Sequence, residues 1–224
     1  MMQGLISSSA IYFGANVLNA SIPLLVLPIL TRVLTPTDYG IIAMFGLVAN
    51  ILNSFTGLNV QSALAVRFFK LNPQRLSEYV AVCFLVLLLS TLGVLIFITL
   101  ARNFLESITQ LTFPWLVLAV LMSSAQVAVQ IRSTLWQMQG KPFHYGAIQI
   151  TQAAVNAGVS IYLVVVLSMA WEGRLVGQII APVLLAMIVL PLLFNKKEIS
   201  TPKSMTIDTV DALKFSLPLI PHTL

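Results

Sequence analysis

Side-chain amides and hydroxyls recur along this chain at spacings of three, four and seven residues, inside stretches that are otherwise apolar. Asn50, Asn53, Ser54, Gly57 and Gln61 form one series; Ser123, Gln126, Gln130 and Gln137 form a second; Gln149, Gln152, Asn156 and Ser160 form a third; Ser9, Tyr12, Asn16 and Asn19 form a looser fourth. Residues so spaced share one face of a helix. The chemistry such a face offers is neutral hydrogen bonding, because amides both donate and accept. That suits polyhydroxylated groups such as sugars. Two uses of these faces stay open at this level. The amides join helix to helix, at about 0.6 kcal/mol per pair, or they line a hydrated cavity. Four faces built on one pattern exceed what joining helices needs, so a shared polar cavity is the expectation. Its candidate lining is Asn16, Asn19, Asn50, Asn53, Gln61, Gln126, Gln130, Gln149, Gln152 and Asn156.

Covalent, metal and redox chemistry have no comparable pattern. Cys83 is the single cysteine, so an intrachain disulfide is excluded, and no CxxC or Cys/His cluster offers a metal site. Cys83 reads as a small apolar residue. His144 and His222 fall in polar connections without partners at catalytic spacing. No Asp, Glu or Lys lies near the middle of an apolar stretch, which leaves no counterpart to the carboxylate proton relays of many pumps. The chain is therefore read as a non-enzyme with no cofactor.

The elements that carry these faces are membrane spans. Hydrophobic residues make up 58% of the 224 and charged residues 8%, with mean hydropathy +0.95. A soluble domain carries about 25% charged residues, so lipid must be the main solvent. A span needs roughly 20 apolar residues. Six stretches qualify, at about Ile11–Leu30, Ile41–Val60, Val80–Leu100, Phe113–Leu135, Ala147–Leu167 and Leu175–Phe194. The opening Met-Met-Gln-Gly-Leu lacks a basic n-region, so the first span reads as a retained helix and not as a cleaved signal. Arg67, Lys70, Arg75, Arg132, Lys141, Lys196, Lys197, Lys203 and Lys214 occupy every second connection, against Arg32, Arg102 and Arg174 in the others. That bias places the N-terminus in the cytoplasm. The net charge of +5 is thus a topology signal, and nucleic-acid binding is not supported.

The amide faces put spans one, two, four and five around an interior. The third and sixth spans lack such faces and are expected to meet lipid, Leu87 included. Pro23 and Pro28 in the first span, and Pro182 and Pro191 in the sixth, remove backbone hydrogen bonds and are expected to bend their helices. Tyr39, Trp115, Trp136 and Trp171 lie near span ends, where interfacial anchoring is the expected role. The organisation expected is a six-helix lobe at 1–194, a polar cytoplasmic linker at 195–213 and the start of a seventh span at 214–224. A chain stopping there reads as part of a longer protein.

The connection after the first span carries the most specific motif. It reads Leu27-Pro28-Ile29-Leu30-Thr31-Arg32-Val33-Leu34-Thr35-Pro36-Thr37-Asp38-Tyr39-Gly40. With Gly173-Arg174-Leu175-Val176-Gly177, and with Leu213-Lys214-Phe215-Ser216-Leu217-Pro218-Leu219-Ile220-Pro221, it resembles the polysaccharide and O-antigen flippases (Wzx-type) of the multidrug/oligolipid/polysaccharide exporter superfamily, in their N-terminal half. The resemblance implies an all-α integral membrane lobe, half of a twelve-helix two-lobe transporter whose C-terminal six-helix lobe is missing here. It implies transport of an undecaprenyl-pyrophosphate-linked oligosaccharide by alternating access, across the bacterial inner membrane, in polysaccharide or lipopolysaccharide biosynthesis. The alternatives are a drug or metabolite exporter of the same superfamily, or a membrane glycan polymerase or acyltransferase, whose catalytic loop the short outer connections do not supply. Arg32 has two readings: attraction of pyrophosphate at the outer end of the cavity, or snorkelling to the interface and pairing with Asp38.

Overall fold

Proline and capping residues set where most of the helices start. The computed structural model describes residues 2–195 and Lys214, with side-chain surroundings from Phe13 to Leu192 except Ala15 and Pro23. The linker and seventh-span start expected from the sequence lie outside the described residues, Lys214 excepted. Helices α1 (Met2–Leu30), α2 (Pro36–Phe55), α3 (Val60–Phe68), α4 (Pro73–Leu100), α5 (Arg102–Thr109), α6 (Phe113–Met138), α7 (Pro142–Ile161) and α8 (Ala170–Asn195) follow in order, with a wide π turn at Tyr162–Val166. Pro36, Pro73 and Pro142 open α2, α4 and α7, where the missing N–H costs nothing and φ is already helical. Thr35 and Asp38 close a capping box on α2, and the Asn72 side chain accepts from the Arg75 N–H at the start of α4.

The protein is an all-α membrane lobe. Among the described residues, five helices are long and apolar enough to cross a bilayer: Pro36–Phe55, Pro73–Leu100, Phe113–Met138, Pro142–Val166 and Ala170–Leu192. A sixth, shorter apolar helical stretch runs over Asn16–Leu30. Leu88, Leu89, Ile96, Phe97 and Leu100 stand exposed along α4. In water such a row would be an anomaly; in lipid it is the ordinary surface.

The second span is not one helix. It breaks at Thr56–Asn59, where Gly57, Leu58 and Asn59 all have positive φ (81°, 47° and 57°). The Gly57 N–H donates to the Ser90 hydroxyl on α4 at 2.8 Å, not to the carbonyl four residues back. A β-carbon on Gly57 would lie 2.6 Å from Val127 Cγ1, so the bare backbone is what lets α6 approach. Gln61 consequently sits on α3, and the expected single face from Asn50 to Gln61 ends at the break.

The sixth span also differs from expectation. Helix α8 packs against both α7 and α6, and Leu175, Ile179, Ala181, Leu185, Ala186 and Val189 are buried. Leu87 on α4 is buried as well, in a cluster with Val127, Ile131 and Leu185. The reason is chemical: lipid tails and a protein interior are equally apolar, so an unbroken hydrophobic run does not say which of the two it faces. A second cluster, toward the end that the charge bias assigns to the outside, joins Phe45, Leu116, Ile98 and Leu175. The aromatics expected as anchors belong to this packing. Trp115 and Trp171 stack at 5.3 Å between centroids, and Phe45 meets Trp115 edge-on. At the other end Trp136 is buried beneath the Arg132 guanidinium, 4.5 Å from its ring centroid. Arg132 itself lies within α6 and is fully buried, not in a connection.

Candidate functional site

A cavity of about 250 Å³ opens between α1, α6, α7 and α8. Asn19, Gln126, Gln149, Gln152, Asn156 and Arg174 supply its polar lining, with Ile22, Val26, Ala153 and Ala157 between them. Gln149, Gln152 and Asn156 share one face of α7, as their spacing requires. Gln126 faces them from α6: the Gln152 side-chain amide donates to Gln126 Oε1 and bridges the two helices. Three N–H groups and the Gln152 carbonyl oxygen remain on that amide pair beyond the bond they share.

Arg174 is the charged member. Its guanidinium crosses from the start of α8 to α7 and donates through Nη1 to Asn156 Oδ1 at 2.7 Å and to Ser160 Oγ at 2.8 Å. The Ser160 hydroxyl donates in turn to Asn156 Oδ1 at 3.3 Å. Backbone bareness makes the reach possible. A β-carbon on Gly177, one turn after Arg174, would lie 2.8 Å from the Ser160 backbone nitrogen, so only glycine lets α8 lie this close to α7. Nη1 carries two hydrogens and both are used; the three N–H groups on Nη2 and Nε make no hydrogen bond among the described residues.

No carboxylate offsets that charge. Among the described residues, Asp38 accepts from the Thr35 N–H at 2.8 Å and from its hydroxyl at 2.7 Å; Glu106 pairs with Arg102; Glu78 lies 3.6 Å from Arg75; and Glu172 is exposed. The cavity is thus an amide-lined recess with a net positive end.

Five of the residues expected to line a cavity are brought together here: Asn19, Gln126, Gln149, Gln152 and Asn156. The others stand elsewhere. Asn16 and Asn50 are exposed on α1 and α2. Asn53 Oδ1 and Gln130 Oε1 are buried without a hydrogen-bond partner. Gln61 donates to Asn59 Oδ1 at 3.1 Å on the far side of the helix break. Arg32 is exposed, and Asp38 turns to Thr35 instead of pairing with it. Arg174 was counted as a connection residue; its flanking Gly173 and Gly177 were the signal that could have found it, since two glycines one turn apart leave a helix face bare for close packing.

Two larger recesses are apolar. One, of about 590 Å³, lies between α2, α4 and α5. Its only hydroxyls are spent on backbone carbonyls, Ser90 on Val86 and Thr109 on Leu105, so it offers nothing to a polar cargo. The other, of about 530 Å³, runs between α4, α6 and α8.

Comparison with known proteins gives one match. A family profile described as "Polysaccharide biosynthesis protein" matches residues 5–224. No curated protein and no solved structure matches the chain.

Proposed function

Because the chain belongs to the polysaccharide biosynthesis protein family, that of the polysaccharide and O-antigen flippases and related exporters, we propose that it moves a lipid-linked oligosaccharide across the bacterial inner membrane. Members of this family are generally transporters and not enzymes. The observation that carries the substrate reading is the cavity between α1, α6, α7 and α8, lined by Asn19, Gln126, Gln149, Gln152 and Asn156 with no carboxylate. A sugar presents many hydroxyls that each need a partner, and amides meet donors and acceptors alike. The lipid part of the cargo stays in the bilayer while the glycan passes along the amide face. The opposite wall of the path, on this proposal, is a second six-helix lobe, and the two lobes rock between inward and outward openings. No covalent step is required; the cavity offers binding and orientation only.

Asn50, Asn53, Gln61 and Gln130 remain proposed contacts of a longer path along α2, α3 and α6, with Asn16 on α1 and Arg32 just beyond its end. The experiment is deletion of the gene in its own host. Loss of the transporter leaves undecaprenyl-pyrophosphate-linked glycan on the inner leaflet and strips the surface polymer, with synthesis of the repeat unit intact. Normal surface polymer in the deletion strain contradicts the proposal.

A further inference from the structure

Helix α5 marks the level of a membrane surface. Arg102, Asn103 and Ser107 are exposed polar residues on it, and Phe104 and Ile108 are exposed apolar ones. A helix of that mixed character lies in the interface, its polar side to the headgroups and its apolar side to the chains. A third side turns to the protein. Leu105 and Thr109 line the apolar recess of about 590 Å³ between α2, α4 and α5. Arg102 precedes them by three and seven residues, so it stands on the same side of α5, at the edge of the recess. Below α5, Ile51 and Phe55 on α2 face Gly93 and Phe97 on α4, and Leu116 of α6 is the floor.

The recess is one leaflet deep. Along α4 its lining runs from Ser90 to Ile98, a rise of roughly 12 Å at 1.5 Å per residue. The whole hydrocarbon core is about 30 Å thick. Residues 73–89 of α4 contribute nothing to the lining, and no lining residue is shared with the amide-lined cavity. A lipid that changes leaflets needs a longer track than this. The recess suits one that stays in the leaflet of α5, the outer one by the charge bias.

Hydrocarbon is the chemistry that fits the lining. A chain gains no hydrophobic energy on entering, because the bilayer is as apolar as the recess. Packing is what it gains: an unfilled recess leaves Leu52, Ile98 and Leu116 without partner atoms on one side. Preference among lipids must then come from the headgroup. Arg102 gives Nε to Glu106 Oε1 at 3.3 Å and is exposed, so its two terminal NH2 groups are open to the headgroup layer. A guanidinium meets phosphate oxygens through such a fork.

We propose that this recess seats one outer-leaflet phospholipid, with an acyl chain between α2 and α4 beneath α5 and its phosphate on Arg102. The lipid is a resident of the lobe and not its cargo. The proposal rests on the membrane lobe alone and not on the transport reading.

Gly93 supplies the test. A β-carbon there meets nothing within 4 Å, so a larger side chain enters the recess without displacing backbone. The full gene product is purified in detergent, stripped of lipid and titrated with phosphatidylethanolamine while its melting temperature is read. The same phospholipid carrying a photoreactive diazirine on one acyl chain maps the contact by mass spectrometry, with a polyprenyl phosphate as competitor. We expect the phospholipid to raise the melting temperature of the wild type and to label residues 51–55 or 90–98. Gly93→Phe should abolish both the shift and the label. Leu89→Phe, exposed to lipid on the same helix and outside the recess, should keep both. Arg102→Gln should raise the half-saturating phospholipid concentration about two- to fivefold, as loss of one exposed charge interaction does, while Glu106 stays held by the Phe113 N–H. The proposal is overturned if those residues are not labelled, if the polyprenyl phosphate displaces the phospholipid at a lower concentration than phospholipid itself, if Leu89→Phe loses the label, or if Gly93→Phe or Arg102→Gln binds like wild type. Should Gly93→Phe fail to fold, labelling of the wild type and the Arg102→Gln titration decide. None of these outcomes bears on glycan export, by which the transport reading stands or falls.

Discussion

Arg174 Nη1 lies 2.7 Å from Asn156 Oδ1, a bond that spans 18 residues of sequence and ties the start of α8 to the middle of α7. It gives the cavity its only charge among the lining residues and holds that charge with neutral partners. A carboxylate in place of Asn156 would neutralise it from within.

Asn156→Asp puts that idea to use. The new carboxylate forms an ion pair with Arg174 in a partly buried site. The folded protein should be no less stable, while export of the glycan should fall by about tenfold, because hydrogen bonds to charged groups contribute about 1.5–3 kcal/mol. Melting temperature and surface polymer per molecule of protein check the two halves separately. A fall in both together would mean that Asn156 is structural only.

Close approach of α8 to α7 gives a contrast between glycines. Gly177→Ala meets the Ser160 backbone and should destabilise by about 1–3 kcal/mol, the usual range for overpacking. Gly158→Ala, also helical, meets nothing within 4 Å and should be neutral or stabilising by up to about 1 kcal/mol through helix propensity. Thermal unfolding in one detergent compares them.

Neighbouring leucines on α4 separate core from lipid. Leu87 is 7% exposed and Leu88 is 62% exposed. Leu87→Ala should cost about 2–5 kcal/mol as a cavity in the packed cluster, while Leu88→Ala should cost well under 1 kcal/mol, since lipid closes over the gap. The yield of folded protein at fixed expression reads the difference.

Orientation follows from the basic residues and is open to labelling. In a Cys83→Ala background, cysteines at Asn103 and Ser168, both exposed, should react with an impermeant thiol reagent added outside intact cells. A cysteine at the exposed Asn72 should react only after permeabilisation. The reverse pattern would overturn the assignment of inside and outside.

These residues also show how much the sequence revealed and where it stopped. The face Gln149–Gln152–Asn156 was legible because helical periodicity is a local property, and α7 is one unbroken helix over it. Arg174 was not, because its partners are on another helix and only packing brings them within reach. The break at Gly57 lies in a short Thr56–Asn59 stretch between apolar runs, which averaged hydropathy passes over; what marks it is tertiary, the Gly57 N–H turned to Ser90 on α4 and the close approach of Val127 on α6. Helix α5 was hidden in what read as a connection, though Arg102 and Glu106, four residues apart, pair along it. The Glu106 carboxylate also accepts from the Phe113 N–H at 2.7 Å, fastening α5 to the start of α6. Burial of α8 could not be read at all, for the lipid-facing and core-facing alphabets are the same.

The central claim is that the amide-lined cavity is the path of the glycan, and Gln152→Leu together with Gln126→Leu tests it most directly. Leucine suits an apolar interior, and losing one interhelical amide pair costs only about 0.6 kcal/mol, so folded protein should reach the membrane in near-normal amount. Glycan hydroxyls left unpaired in a closed site cost about 1–3 kcal/mol each. The measurement is the leaflet distribution of lipid-linked glycan per molecule of transporter in the double variant. The account predicts that the glycan accumulates on the inner leaflet at near-normal protein abundance. Wild-type export by the double variant would contradict it and reduce the Gln126–Gln152 pair to a joint between helices.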